Sequence, residues 1–231
     1  MEPAKVDDLL VYVVLGVIIG GRLGYATFYQ PSLWLDPIAL LQMWNGGMSF
    51  HGGLVGLLVA LFLFSLRFDV PLLRLIDYVG CVTPFGTILV RLANFVNGEL
   101  WGRPTMLPWG MIFPQAGDGL ARHPSQLYEA MLEGCGLMAL LIWLFWKTDL
   151  RRQPGRLAGA GLTWYAIVRF SLEWARQPDR GLENLFWGLT MGQTLSIPIL
   201  VGGLYLLFRQ KPRRSETSAC NANGDTPGGV S

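Results

Sequence analysis

Apolar residues gather along this chain in six runs, each about as long as a bilayer is thick, separated by short stretches that hold most of the charge. By periodicity they cover about Leu9–Tyr29, 51–66, Leu75–Asn97, Leu127–Trp146, Leu157–Trp174 and 189–208. No Asp, Glu, Lys or Arg occurs from Pro37 to Leu66 or from Leu185 to Phe208. A membrane-crossing helix needs roughly 20 predominantly apolar residues. The pattern therefore predicts an all-α fold, a polytopic membrane helix bundle of about six transmembrane helices. Its longest connection, Gly98–Pro124, forms a small outward-facing loop region. The opening MEPAKVDD is acidic and no small-residue cleavage site follows the first run, so a secretory signal peptide is a poor reading.

Composition supports this. Of 231 residues, 52% are apolar and only 15% charged, against about 25% charged in soluble domains. The abundance of aromatic residues excludes intrinsic disorder, and a net charge of +2 gives no nucleic-acid footprint. Cys81, Cys135 and Cys220 are too few and scattered for a disulfide framework or a zinc site. Lys and Arg set the orientation. Lys5, Arg67, Arg74, Lys147, Arg151, Arg152, Arg156, Arg209, Lys211, Arg213 and Arg214 fall on one side of six spans. Arg103, Arg122, Arg176 and Arg180 fall on the other. The positive-inside rule then places both termini in the cytoplasm. Residues 1–214 are read as a single transmembrane helical domain and 215–231 as a disordered cytoplasmic tail.

Ionisable residues inside apolar runs point to chemistry, because each costs about 2.5–3.5 kcal/mol at mid-helix. Arg91 shares a helical face with Asn94 and Gly98, and Asn97 and Glu99 follow where Gly98 should end the helix. Arg169, Glu173 and Arg176 are spaced i, i+4, i+7. Two guanidinium forks beside several amides, near the outward surface, suit a phosphate. An internal ion pair is an equal reading for Glu173, and structure and function weigh equally for Arg22 in GGRLGY. His51 lies between glycine pairs in NGGMSFHGG, where the backbone can turn or admit a substrate. His123 precedes Pro124 and Ser125, which read as a helix start with a capping residue, and is taken as structural. Two histidines without clustered ligands argue against a metal centre.

The stretch VRLANFVNGELWG resembles the signature of the bacterial prolipoprotein diacylglyceryl transferases, and MSFHGG, RHPSQLYEA, RFSLEWARQPD and TMGQTLSIPIL resemble further blocks of that family in the same order. The resemblance implies transfer of diacylglyceryl from phosphatidylglycerol to the lipobox cysteine thiol of a preprolipoprotein, the first step of bacterial lipoprotein maturation. It also implies a multi-pass protein of the bacterial inner membrane; the chemistry requires no metal or organic cofactor, and a monomer is expected. Carried over residue by residue, the family's catalytic and binding positions fall on His51, Arg91, Asn94, Glu99, Gly102, Arg169, Glu173 and Arg176, with Tyr25. Asn97 joins them as a binding residue. Two departures stand out. Val90 occupies the signature's first glycine, and the chain begins just before the family's second helix, so that it is expected to be an N-terminally shortened version of a seven-span enzyme, weakly active or inactive.

A thiol has a reference pKa near 8.5, so a base or cation must help it displace phosphate from a glycerol carbon. Arg91 and Arg169 would hold the phosphate and stabilise charge on the leaving group. His51 is the candidate for the base or the thiol-orienting group, with Glu99 and Glu173 orienting the arginines or sharing the proton transfer. A transporter of a small anionic solute and an inactive N-terminally truncated relative are the competing readings.

Overall fold

The computed structural model describes residues 3–177 and 189–209. Among these residues six long helices lie close to the expected positions: α1 Pro3–Phe28, α2 Phe50–Phe68, α3 Leu72–Val96, α4 Ser125–Lys147, α5 Arg156–Leu172 and α6 Met191–Phe208. Five are long and apolar enough to cross a membrane; the sixth, α5, has 17 residues and carries Arg169 in its last turn. A two-stranded antiparallel ribbon, β1 Met111–Ile112 with β2 Ala121–Arg122, sits in the α3–α4 loop. Arg180, Lys211, Arg213, Arg214 and the tail expected after Arg214 lie outside the described residues.

Helices α1 and α2 form a close hairpin because small residues face each other along both. Gly16, Gly20 and Gly24 on α1 meet Gly52, Gly56 and Ala60 on α2, and a Cβ added at Gly20 would lie 2.5 Å from the Gly52 carbonyl oxygen. Such small-residue faces let membrane helices approach backbone to backbone. The hairpin meets α3 at the end remote from Gly98, in an apolar cluster of Leu9, Leu61, Phe64 and Leu75. Its other end is organised by Arg22. The buried guanidinium donates from Nε to Leu40 O (2.8 Å), from Nη1 to Gly46 O (2.6 Å) and Gly47 O (3.0 Å), and from Nη2 to Ala39 O (2.7 Å) and Gln42 O (3.2 Å). All five contacts go to main-chain carbonyls, so Arg22 is a clamp on the α1–α2 loop.

At the remote end α3 also fixes α5. Asp77, 1% exposed, accepts hydrogen bonds from Gly155 N (2.7 Å) and Ala158 N (2.8 Å), and so caps the first turn of α5 from a neighbouring helix. Its charge also suits the positive end of the α5 dipole. Asp77→Ala should lower thermal stability in detergent, since each orphaned buried donor costs about 1–3 kcal/mol. Asp77→Asn retains an acceptor oxygen and should lose less; equal losses would mean that hydrogen bonding is not what Asp77 supplies.

Candidate active site

Among the described residues, four elements bring six ionisable side chains together. Arg91 comes from α3, Glu129 and Glu133 from α4, Arg169 from α5, and Glu173 and Arg176 from the turn that follows α5. Glu129 is the hub. Its Oε2 lies 2.6 Å from Arg91 Nε, and its Oε1 lies 3.0 Å from Arg176 Nη1 and 3.5 Å from Arg169 Nη1. Glu133 sits behind it, 3.7 Å from both Arg91 Nη2 and Arg169 Nη1. Glu173 Oε2 is 3.9 Å from Arg169 Nη2 and from Arg176 Nε. The acidic side chains are 1–6% exposed and the arginine side chains 11–17%. The acids thus form a back wall and the arginines the accessible face.

Local structure explains this convergence. Within α4, Ala130–Gly136 is wound as a π-helix, a form that recurs at functional sites. The wider turn is held by Trp164 of α5, whose Nε1 donates to Leu132 O (2.9 Å), and by Gly134, where a Cβ would collide with Ile88 of α3. The signature segment ends α3 in a Schellman cap: Glu99 N donates to Asn94 O (2.8 Å), Gly98 N donates to Phe95 O (3.1 Å), and Gly98 takes φ 66°. Glu173 packs against the start of α6, since a Cβ at Gly192 would meet its carboxylate at 2.5 Å. Thr190 and Gln193 close that helix start as a capping box.

The Gly98–Pro124 loop aims Arg176. Gly102 pairs with Arg176 as an isolated bridge, Arg103 N donates to Ala175 O (3.0 Å) and Arg103 Nε to Arg176 O (2.8 Å). A side chain at Gly102 would strike Ala175 O and His123, so only glycine admits this approach. Phe113, stacked on Trp101 and edge-on to Phe95, seats the loop over the end of α3. At the ribbon, a hydrogen bond from the Arg122 side chain, aided by the Leu120 N–H, holds the Asp118 carboxyl below the ordinary aspartate range. A group depressed in the folded state contributes fully above its unfolded pKa, about 3.9, and loses that contribution as pH falls through the lower folded value. Amide exchange across 118–122 should therefore accelerate only in that acidic window, and Asp118→Asn should remove the dependence.

The remaining expected residues are dispersed. Glu99 and Asn97 are exposed; the Glu99 carbonyl accepts from Gln126 Nε2 (2.5 Å) and the Asn97 carbonyl from Gln115 Nε2 (3.1 Å). Asn94 is half-buried beside Arg91, and Val90 is 57% exposed, outside the ionic cluster. His51 opens α2 and Tyr25 ends α1 on the hairpin, where the Tyr25 ring fills the space that a Gly47 side chain would take. The acids that face Arg91 are Glu129 and Glu133, which the sequence reading passed over. Ser125, expected to cap α4, instead donates its hydroxyl to Leu100 O (2.9 Å), because the N-cap position falls on Pro124. His123 pairs through Nδ1 with the Tyr128 hydroxyl (3.3 Å), while its main chain joins Gly102 and Arg103. Among the described residues, no group of three His, Cys, Asp or Glu could hold a metal ion.

A family model described as prolipoprotein diacylglyceryl transferase matches residues 1–209. A phosphatidylglycerol–prolipoprotein diacylglyceryl transferase of Zymomonas mobilis is 51% identical over 213 residues, covering 92% of this chain and 74% of that protein. The protein of the same name from Phenylobacterium zucineum is 50% identical over 235 residues, covering 96% and 80%. The one from Ruegeria pomeroyi is 47% identical over 231 residues, covering 91% and 78%.

Proposed function

Because the chain belongs to the prolipoprotein diacylglyceryl transferase family, we propose that the arginine–carboxylate cluster is where it carries out its reaction. The protein is a multi-pass membrane enzyme that transfers diacylglyceryl from phosphatidylglycerol to a prolipoprotein. One observation carries the assignment of the site: three guanidiniums from three elements converge on Glu129, on side chains more exposed than the acid they share. Fixed, partly desolvated guanidinium forks are complementary to a phosphodiester and to the additional charge of a departing phosphate. Arg91 and Arg169 grip the phosphate. Arg176 completes the wall, its backbone held by Gly102 and Arg103. Asn94, Asn97 and Glu99 lie at the capped end of α3, where the headgroup enters, and Glu173 orients Arg169 and Arg176. His51, carried with Tyr25 on the α1–α2 hairpin outside the cluster, orients the incoming cysteine thiol.

The test uses the full chain with phosphatidylglycerol vesicles and a synthetic peptide bearing a lipobox cysteine. The expected result is a peptide heavier by one diacylglyceryl group. An unchanged peptide mass, with solute movement across the vesicle wall, would support a transporter instead.

The proposed orientation follows from the Lys and Arg distribution, with the catalytic end outward and both termini cytoplasmic. A reporter fused after Arg214 should behave as cytoplasmic, and one inserted near Asp118 as exported. Reversal of both would put the site on the wrong leaflet.

A further inference from the structure

We propose that Glu133 is the catalytic base of the transfer, its carboxylate taking the proton of the attacking thiol while Arg91 and Arg169 hold the phosphate. This rests on the assignment of the ionic cluster as the active site. Glu133 is 1% exposed, yet among the described residues neither of its oxygens has a hydrogen-bond partner. The nearest guanidinium nitrogens, Arg91 Nη2 and Arg169 Nη1, stand at 3.7 Å, beyond hydrogen-bonding range. Buried carboxylates are normally saturated. Glu129 obeys that rule, with both oxygens engaged by three arginines. Glu133 keeps both oxygens available inside the same cluster.

Depth gives those oxygens a partner. Arg91 lies five residues from the end of α3 and Arg169 three from the end of α5, so a phosphate between them is near the loop end of the bundle. Glu133 lies eight residues into α4, one turn further from the loop end than Glu129. The acyl chains of a bound lipid run away from its phosphate into the hydrocarbon. The glycerol carbon to be attacked therefore lies on the deep side of the arginines, as does the sulfur, which must enter opposite the leaving oxygen. The π-wound turn, pinned by Trp164 and Ile88, fixes Glu133 on that side.

The step balances. The S–H proton passes to Glu133, the sulfur–carbon bond forms, and the carbon–oxygen bond to phosphate breaks with its electron pair going to that oxygen. The negative charge that begins on Glu133 ends on the glycerol phosphate between Arg91 and Arg169, so the charge of the site is unchanged. The proton then moves from Glu133 to the departing phosphate, which restores the carboxylate.

The experiment compares wild type, Glu133→Gln and Glu133→Asp in phosphatidylglycerol vesicles with the lipobox peptide, across pH. Removing a general base should lower kcat about 100-fold or more at neutral pH while leaving KM for the lipid nearly unchanged. The residual rate of Glu133→Gln should climb as the thiol ionises near pH 8.5, where the wild-type rate is level. Should Glu133→Gln fail to accumulate, Glu133→Asp decides: it keeps the charge and withdraws the carboxylate by one methylene, so a low kcat with the climbing profile is expected. A wild-type rate in either variant, or a loss confined to KM with an unaltered pH profile, would overturn the proposal and leave Glu133 a neutralising acid. A wild-type chain that adds no mass to the peptide would instead sink the reading of function on which the proposal rests.

Discussion

Lysine in place of Arg91 or Arg169 should lower kcat/KM at least about 100-fold, the size of effect seen when a donor aimed at developing charge is removed. Amounts of protein in the membrane should stay near wild type. Arg91 reaches Glu129 through Nε at 2.6 Å and Glu133 through Nη2 at 3.7 Å, two acids from two nitrogens of one planar group. An ammonium preserves the charge opposite Glu129 but cannot span both acids and still present two parallel donors to a phosphate. Alanine is the poorer probe. Removing one partner of a buried ion pair costs about 3–5 kcal/mol through the charge left behind, so lost activity would be entangled with lost protein. Initial rates normalised to membrane protein make the distinction. Full transfer by Arg91→Lys would refute a geometric role and leave neutralisation alone.

The six helices were legible because lipid demands an uninterrupted apolar length, and that demand is local: α5 was expected at Leu157–Trp174 and forms at Arg156–Leu172. The signature's helix end was legible for the same reason, since Gly98 is the residue that accepts a positive φ. Glu129 and Glu133 were legible in principle. Two acids four apart inside an apolar run meet the criterion that singles out Arg91, but RHPSQLYEA also carries a helix start, and that stronger signal masks them. The π-turn that aims them was not legible, because it depends on an indole more than 30 residues away bonding to Leu132 O. Arg22 could not be decided from GGRLGY either. Its partners are carbonyls of residues 39–47, and no periodicity sets where they point.

The hairpin glycines give the sharpest stability contrast. Placing valine at Gly56 or Gly20 should separate α1 from α2, because the atoms in the way are backbone and cannot rotate aside. A Cβ at Gly20 would lie 2.7 Å from Gly56 Cα, and one at Gly16 2.6 Å from the Gly56 carbonyl oxygen. Overpacking a well-fitted interior costs about 1–3 kcal/mol, and rigid neighbours put these positions at or above the upper end. Gly86 and Gly202 are the internal controls: both lie inside long helices, and an added Cβ at either meets nothing within 4 Å. Alanine there removes the glycine penalty, so Gly86→Ala and Gly202→Ala should hold or gain up to about 1 kcal/mol. Thermal unfolding of the purified chain, with disulfide trapping between cysteines placed on α1 and α2, reads both effects. The loss should reach activity too, since the hairpin carries Tyr25, His51 and the Arg22 clamp as one body, and splaying it would move them all together. If Gly56→Val melts with Gly86→Ala and still traps across α1 and α2, close backbone contact is not what holds the hairpin.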